Sequence, residues 1–273
     1  MSKKPIDTTD ELPFPELSLP VMVDLAVKTL QAYAPADGSP YYVGYSGGKD
    51  SVVIAHLCKL AGVPYELHYS VTTIDPPELV RFVKATAPRV IMHRPEKNFF
   101  AMMEQRGYPS RLGRWCCSEL KENKCAPGSS AVFGIRADES ARRAAQWQGI
   151  VSQRKTKGGR FVAVCPILFW RERDVWEFIR SENLPYCSLY DEGFRRLGCV
   201  GCPMSHNRYR EIQRWPGFER LWRKALRAWW DNPVPSRESR TRRTFKTFEE
   251  FWAWYWSNES MPEEIECTGQ NLF

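Results

Sequence analysis

Between Tyr41 and Glu182 the chain alternates between two hydrophobic patterns. Short apolar runs bounded by Gly, Pro or polar residues predict buried strands at 41–45, 65–69, 89–92, 130–135 and 162–165. Between them, apolar residues at helical spacing predict helices at 51–60, 79–85, 99–105 and 174–182, the last capped by Asp174. Strands and helices in turn argue for βαβ units. The expected fold is α/β, a doubly wound, mostly parallel sheet. One more helix is predicted at 20–33, behind an irregular arm carrying Pro5, Pro13, Pro15 and Pro20. After Pro203 the strand signal fades, and helices are predicted at 209–213, 218–230 and 248–256, with a basic loop at 233–244. The organisation read from this is an arm and helix over 1–40, a nucleotide-binding α/β domain over 41–205 and a helical region over 206–273.

Composition narrows the class. The 273 residues are 43% hydrophobic and 26% charged, as in an ordinary globular protein, which argues against long disorder, collagen-like repeats or coiled-coil rods. No apolar run approaches the roughly 18 residues that cross a bilayer. The polar start Met1-Ser-Lys-Lys lacks an apolar signal core, so a cytoplasmic protein with no membrane partner is expected. The net charge of +7 sits in one place: twelve Lys/Arg against four acids from Ser205 to Lys246. Seven of the eleven tryptophans lie there or just beyond. Two readings stand side by side. Basic residues and stacking aromatics suit a nucleic-acid surface, with Arg237 to Lys246 the better electrostatic candidate. Tryptophans at helical spacing equally suit a cap that fills its own core.

The segment Ser46-Gly47-Gly48-Lys49-Asp50-Ser51 follows a predicted strand and opens a predicted helix, the place where α/β sheets bind ligands. Paired glycines let backbone amides approach an anion, and the free amides of the following helix add to them. Ser46 and Ser51 add hydroxyls and Lys49 a charge, while Asp50 suits magnesium or a helix cap. A plain strand-to-helix turn is the alternative. Arg136 follows another strand end and suits a phosphate or sulfate; Arg142 and Arg143 are as readily solvated helix charges. Asp75 and Glu78 suit magnesium, nucleotide or capping.

Nine cysteines in a reducing compartment point to metal ligands, redox groups or packing rather than disulfides. Cys116-Cys117 and, far along the chain, Cys199-Val-Gly-Cys202-Pro203 supply four thiolates, the count that zinc or an iron–sulfur cluster needs. The alternative is a core pair and a separate redox pair. Adjacent ligands are strained, which leaves one of Cys116 and Cys117 a candidate to stand outside. Cys58 and Cys165 read as packing residues and Cys125 and Cys187 as non-ligands. His56, His68, His93 and His206 show no metal spacing.

The Ser46–Ser51 loop resembles the PP-loop of the adenine nucleotide alpha-hydrolase (PP-loop ATP pyrophosphatase) superfamily. With the cysteine pattern it resembles the iron–sulfur branch of the PAPS/APS reductase family, and is similar also to the sulfurtransferase of DNA phosphorothioation. Further blocks match: Thr72-Thr73-Ile-Asp75-Pro-Pro-Glu78, Gly134-Ile-Arg136-Ala-Asp-Glu139-Ser140, 166–176 and 184–193, covering about 41–205. The resemblance implies a [4Fe–4S] cluster on Cys116, Cys117, Cys199 and Cys202. It implies an adenine nucleotide, ATP or the sulfonucleotides APS and PAPS, with Mg2+, bound through Ser46, Gly47, Gly48, Lys49, Asp50, Ser51, Thr73, Asp75, Gly134 and Arg136. Lys49, Asp50 and Cys267 are the implied catalytic residues. The tail Glu266-Cys267-Thr-Gly-Gln270 keeps the Glu-Cys of the reductases' catalytic tail but lacks its histidine. Three functions follow: an ATP-splitting sulfurtransferase, a sulfonucleotide reductase releasing sulfite, or a non-catalytic subunit of a modification complex. The complete loop favours ATP; the paired cysteines and the Glu-Cys tail favour the reductase. Expected partners are the nucleotide, a nucleic-acid substrate, a thiol reductant or cysteine desulfurase, and a second copy of the chain.

Overall fold

A computed structural model describes residues 17–122, 125–156, 158–232, 241, 244–257 and 259. Six strands are seen among them: β1 Tyr41–Gly44, β2 Tyr65–Ser70, β3 Ile91–His93, β4 Ser130–Val132, β5 Val151–Thr156 and β6 Gly159–Val164. The order is β3-β2-β1-β4-β6-β5. All neighbours run parallel except β5 and β6. The mostly parallel α/β sheet is therefore as expected, with one addition. Sequence reading missed β5, a polar and mostly half-buried edge strand, although Gly158-Gly159 marks a hairpin turn just after it.

The helices are α1 Leu19–Ala32, α2 Lys49–Ala61, α3 Pro77–Thr86, α4 Phe99–Arg106, α5 Trp115–Leu120, α6 Ala141–Gln146, α7 Glu172–Ser181, α8 Arg208–Arg214, α9 Pro216–Asp231 and α10 Phe248–Ser257. A short one, α5, escaped the sequence reading, since six residues carry too little periodicity to register; α6 carries Arg142 and Arg143, read as helix charges. Asp174, expected as the cap of α7, instead lies inside its first turn, where its carboxylate accepts the Arg171 amide at 2.7 Å.

One sheet face carries Tyr41, Val43, Val132 and Val164 against α1, α2 and α7. α3 extends this layer through Val83, packed with Tyr45, Val52 and Tyr69. On the opposite face Cys125 and Trp147 pack on Ala131, Phe133 and Phe161. A second core lies beyond the carboxyl ends of the strands. Trp215, Trp222, Trp229 and Trp256 are buried there among Phe99, Met103, Phe251 and Tyr255. The tryptophans thus fill a core, as the second of the two readings required.

Candidate functional site: a phosphate loop beside a ring of four thiols

Strand order reverses at β1, which has β2 on one side and β4 on the other. Such a switch point opens a crevice at the strands' carboxyl ends, and the Ser46–Ser51 loop lies in it. Gly47 takes φ +74°, and a Cβ there would fall 2.5 Å from Val83 Cγ2, so both backbone angle and space demand glycine. The Ser51 hydroxyl donates to the Gly48 carbonyl at 2.8 Å, and Ser46 donates to Ser51 at 3.3 Å. Tyr190 caps the loop: the Lys49 amide donates to its hydroxyl at 2.9 Å. That amide therefore faces a phenol.

The charged members of the loop are braced. The Lys49 ammonium, on a residue 4% exposed, donates to the Arg195 carbonyl at 2.9 Å and pairs with Glu172 at 3.3 Å. Asp50 pairs with Arg136 at 2.6 Å, and Arg136, 3% exposed, also pairs with Asp138 at 2.9 Å. Gly134 lies so close to Asp50 that a Cβ would meet its backbone at 2.9 Å. The end of β4 is thus locked onto the loop. Arg143 is half-buried and paired with Glu139, whereas Arg142 is exposed. Burial, then the neighbouring guanidinium groups of Arg196, Arg136 and Arg114, pull Arg143 down to about 10. Such crowding of guanidinium groups favours an anion.

A cleft of about 210 Å³ runs from Ser46 along the sheet to Asp75, Lys121 and Gly198. Its floor is aromatic. Tyr42 stacks on His68 at 3.9 Å, and His68 bonds His93 through ring nitrogens 2.9 Å apart. Thr73, at φ +65°, accepts the Phe99 amide through its hydroxyl at 2.9 Å and turns the chain towards α4. Asp75 accepts the Thr72 amide at 3.0 Å. Glu78 serves the C-terminal layer, taking the Trp215 indole N–H at 3.1 Å.

The structure brings Cys116, Cys117, Cys199 and Cys202 together around one cavity of about 40 Å³, walled by Ile74, Phe99, Leu120 and Trp222. Among the described residues no three metal-binding side chains converge as a single ion requires; the four sulfurs line a space instead. Cys117 is held below the usual thiol range, first by its hydrogen bond with Cys116 and then by Arg114 and Lys121, against burial. Cys116 is pushed up as its partner. Burial pushes Cys199 up to about 11, with Lys121 opposing. The Lys121 ammonium is favoured in return, chiefly by Cys199. Lys121 lines both the cleft and the cysteine cavity. Sequence reading passed over it, though it follows Cys117 by one helical turn in Cys-Cys-Ser-Glu-Leu-Lys.

The CxxC loop is held from two sides. The Val200 amide donates to the Ile74 carbonyl at 2.8 Å, behind β2. From the C-terminal layer, the Trp222 indole donates to the Val200 carbonyl at 3.2 Å. Glu211 accepts the Gly201 amide at 3.2 Å and the Ser205 hydroxyl at 2.7 Å. Burial raises the Glu211 carboxyl above its ordinary range. The Tyr255 hydroxyl donates to the Pro109 carbonyl at 3.1 Å.

The remaining cysteines Cys58, Cys125, Cys165 and Cys187 are buried. Burial pushes the first three up to about 12, as expected of inert packing thiols. Cys267 lies outside the described residues, as does most of the Arg237 to Lys246 stretch. Basic residues nearby are largely spent internally: Arg223 pairs with Glu249 at 2.6 Å and Arg227 with Asp231 at 3.0 Å. No described helix is long and apolar enough to cross a membrane.

Comparison with known proteins adds further similarities. An uncharacterized protein of Methanocaldococcus jannaschii is 30% identical over 207 residues, which is 71% of this chain and 41% of that protein. A second from the same organism is matched over 41% of its length as well, so the chain spans about two fifths of these relatives. An adenosine 5'-phosphosulfate reductase of Oceanobacillus iheyensis is 28% identical over 218 residues, covering 71% of this chain and 85% of the enzyme. The crystal structure of a phosphoadenylyl-sulfate reductase from Candida auris aligns with a TM-score of 0.47 and 17% identity, over 68% of this chain and 97% of that one. The model of the phosphoadenosine phosphosulfate reductase domain matches residues 40–205. That match takes in the phosphate loop, the Arg136 segment and all four clustered cysteines, and the chain belongs to the phosphoadenosine phosphosulfate reductase domain family.

Proposed function

We propose that the protein is an iron–sulfur enzyme that splits ATP to activate a substrate for sulfur insertion. One observation carries this reading: a single residue, Lys121, lines both the cleft that begins at the phosphate loop and the cavity ringed by four thiols. An adenine nucleotide in the cleft would place its reacting end beside a sulfur-rich centre. The intact Ser46–Ser51 sequence favours a nucleotide whose pyrophosphate leaves.

The chain's own groups suit the task. The loop amides other than that of Lys49, with the Ser46 and Ser51 hydroxyls turned from their bonds within the loop, would bind the leaving phosphates. The Arg136–Asp50 pair fixes the loop, and the Arg143–Arg196 crowd attracts the polyanion. A substrate oxygen attacks the α-phosphorus, pyrophosphate departs, and the substrate carries AMP. A persulfide supplied by a cysteine desulfurase then displaces AMP and leaves a disulfide on the substrate, a thiol reductant cleaves that S–S bond to leave one sulfur behind, and Lys121 offsets the negative charge between the two cavities.

The four cysteines fit an iron–sulfur group by donor chemistry, all thiol, and by their disposition around a space. When bound, such a group would supply a polarisable, redox-active sulfur centre whose net negative charge neighbouring cations offset. Magnesium is a different matter. Asp50 spends one oxygen on Arg136 and Asp75 one on the Thr72 amide, nothing else among the described residues points to magnesium, and no step passes through that ion. The nucleic-acid substrate and the second copy stay with this proposal as extensions of it, whereas the nucleophilic role of Cys267 belongs to sulfonucleotide reduction.

A second reading, sulfonucleotide reduction, is favoured by the reductase name of the Oceanobacillus iheyensis relative. Anaerobic protein incubated with ATP, APS or PAPS separates the two. Pyrophosphate release from ATP is the expected result. Sulfite release from APS or PAPS, with ATP untouched, would overturn the first reading in favour of the second.

A further inference from the structure

Arg208 opens α8, six residues beyond Cys202, and is 6% exposed. Its guanidinium carbon lies 4.3 Å from the Tyr255 ring centroid and 5.0 Å from that of Trp256. These rings hold a cation by their faces but leave its N–H groups in need of acceptors. Nε and Nη2 are buried and find no hydrogen-bond partner among the described residues. The carboxylate one turn along α8, Glu211, is committed to the Gly201 amide and the Ser205 hydroxyl. Cys202 lies within electrostatic reach of the guanidinium, with Arg111 as a repelling neighbour. Leaving one such buried donor unmade costs about 1–3 kcal/mol, and more when the group is charged. Two orphaned donors on one buried cation therefore mark an acceptor that the described residues do not supply.

We infer that Arg208 is a positioning residue for the cysteine-held centre: its free donors serve sulfur on the Cys202 side, and its charge balances the centre from the C-terminal layer. Arg208 lies outside the matched family region of 40–205. The inference rests on the reading that the four cysteines hold an iron–sulfur group, and not on the choice between ATP and sulfonucleotide. N–H donors to sulfur and a fixed nearby cation stabilise the more negative, reduced state and raise its potential.

The test is a redox titration of anaerobically reconstituted wild type, Arg208→Gln and Arg208→Lys, followed by electron paramagnetic resonance, with iron and sulfide counted on each. Arg208→Gln is expected to shift the one-electron equilibrium at least tenfold towards the oxidised state, a fall of about 59 mV. Arg208→Lys, which keeps the charge but loses the fixed donors, should fall between. Variants that load fully and titrate with wild type would overturn the inference, since a purely structural Arg208 leaves the potential alone. If tryptophan fluorescence shows Arg208→Gln unfolded, Arg208→Lys decides by the same criterion. A wild type that takes up no iron overturns the cluster reading and Arg208's role with it, while leaving the nucleotide loop standing.

Discussion

The phosphate loop and the cysteine cavity are neighbours built in opposite ways. The loop is a local device. Two glycines, two hydroxyls and a helix start do the work, and its charged side chains are braced by ion pairs to Arg136 and Glu172. The cavity is a long-range device. Its thiols come from two distant segments, and its wall is completed by Trp222 of α9. The first is held by backbone geometry and polar contacts, the second by aromatic packing. The two sites should therefore fail separately.

Cys199→Ala should have the largest effect on the cavity: loss of essentially all bound iron, scored by metal and sulfide analysis, with nucleotide binding retained. Loss of nucleotide binding too would show that the sites are not separable. Trp222→Ala comes next. This fully buried ring packs on Phe99 at 5.0 Å and on Trp256 at 5.5 Å, and truncation should cost about 3–5 kcal/mol in urea unfolding. Iron uptake should suffer more than nucleotide affinity.

On the other side of the comparison, Asp50→Asn leaves the buried Arg136 short of its closest partner. Destabilisation of about 3 kcal/mol is expected, together with weaker nucleotide binding by calorimetry and unchanged iron content. A stability equal to wild type would mean that Asp138 alone suffices for Arg136.

The smallest effect belongs to Glu192, exposed and held below its ordinary range by the hydrogen bond from Arg214. A lowered carboxyl contributes stability above its unfolded value of 4.5 and loses it as pH falls through the folded value. Melting midpoints of Glu192→Gln and wild type should therefore differ slightly at neutral pH and converge in acid. Divergence in acid would reverse the sign.

The same contrast decides how far the sequence could be read. The loop, its strand and its helix were legible because each signal lies within a few consecutive residues. The four cysteines were legible as a set by their type, but their meeting in one cavity depends on the chain's path from Cys117 to Cys199. Lys121, Tyr190 and Arg208 were missed for a shared reason: each acts through a partner far along the chain or, for Lys121, through a short helix with too little periodicity to be seen. Arg136 was expected just past a strand running to 135, but β4 stops at Val132 and the guanidinium is spent on Asp50 and Asp138. A charge at a promising place says nothing about which neighbour takes it. The tryptophans could be counted beforehand, but only packing distinguishes a core from a stacking surface.

The central claim is that a nucleotide in the cleft and an inorganic centre on the four thiols lie side by side and sense one another. Mössbauer spectra of wild-type protein reconstituted with isotopically enriched iron, recorded with and without ATP, test it most directly. An iron–sulfur signal that changes when the nucleotide binds is predicted. A signal indifferent to saturating nucleotide, or no iron signal at all, would contradict the account.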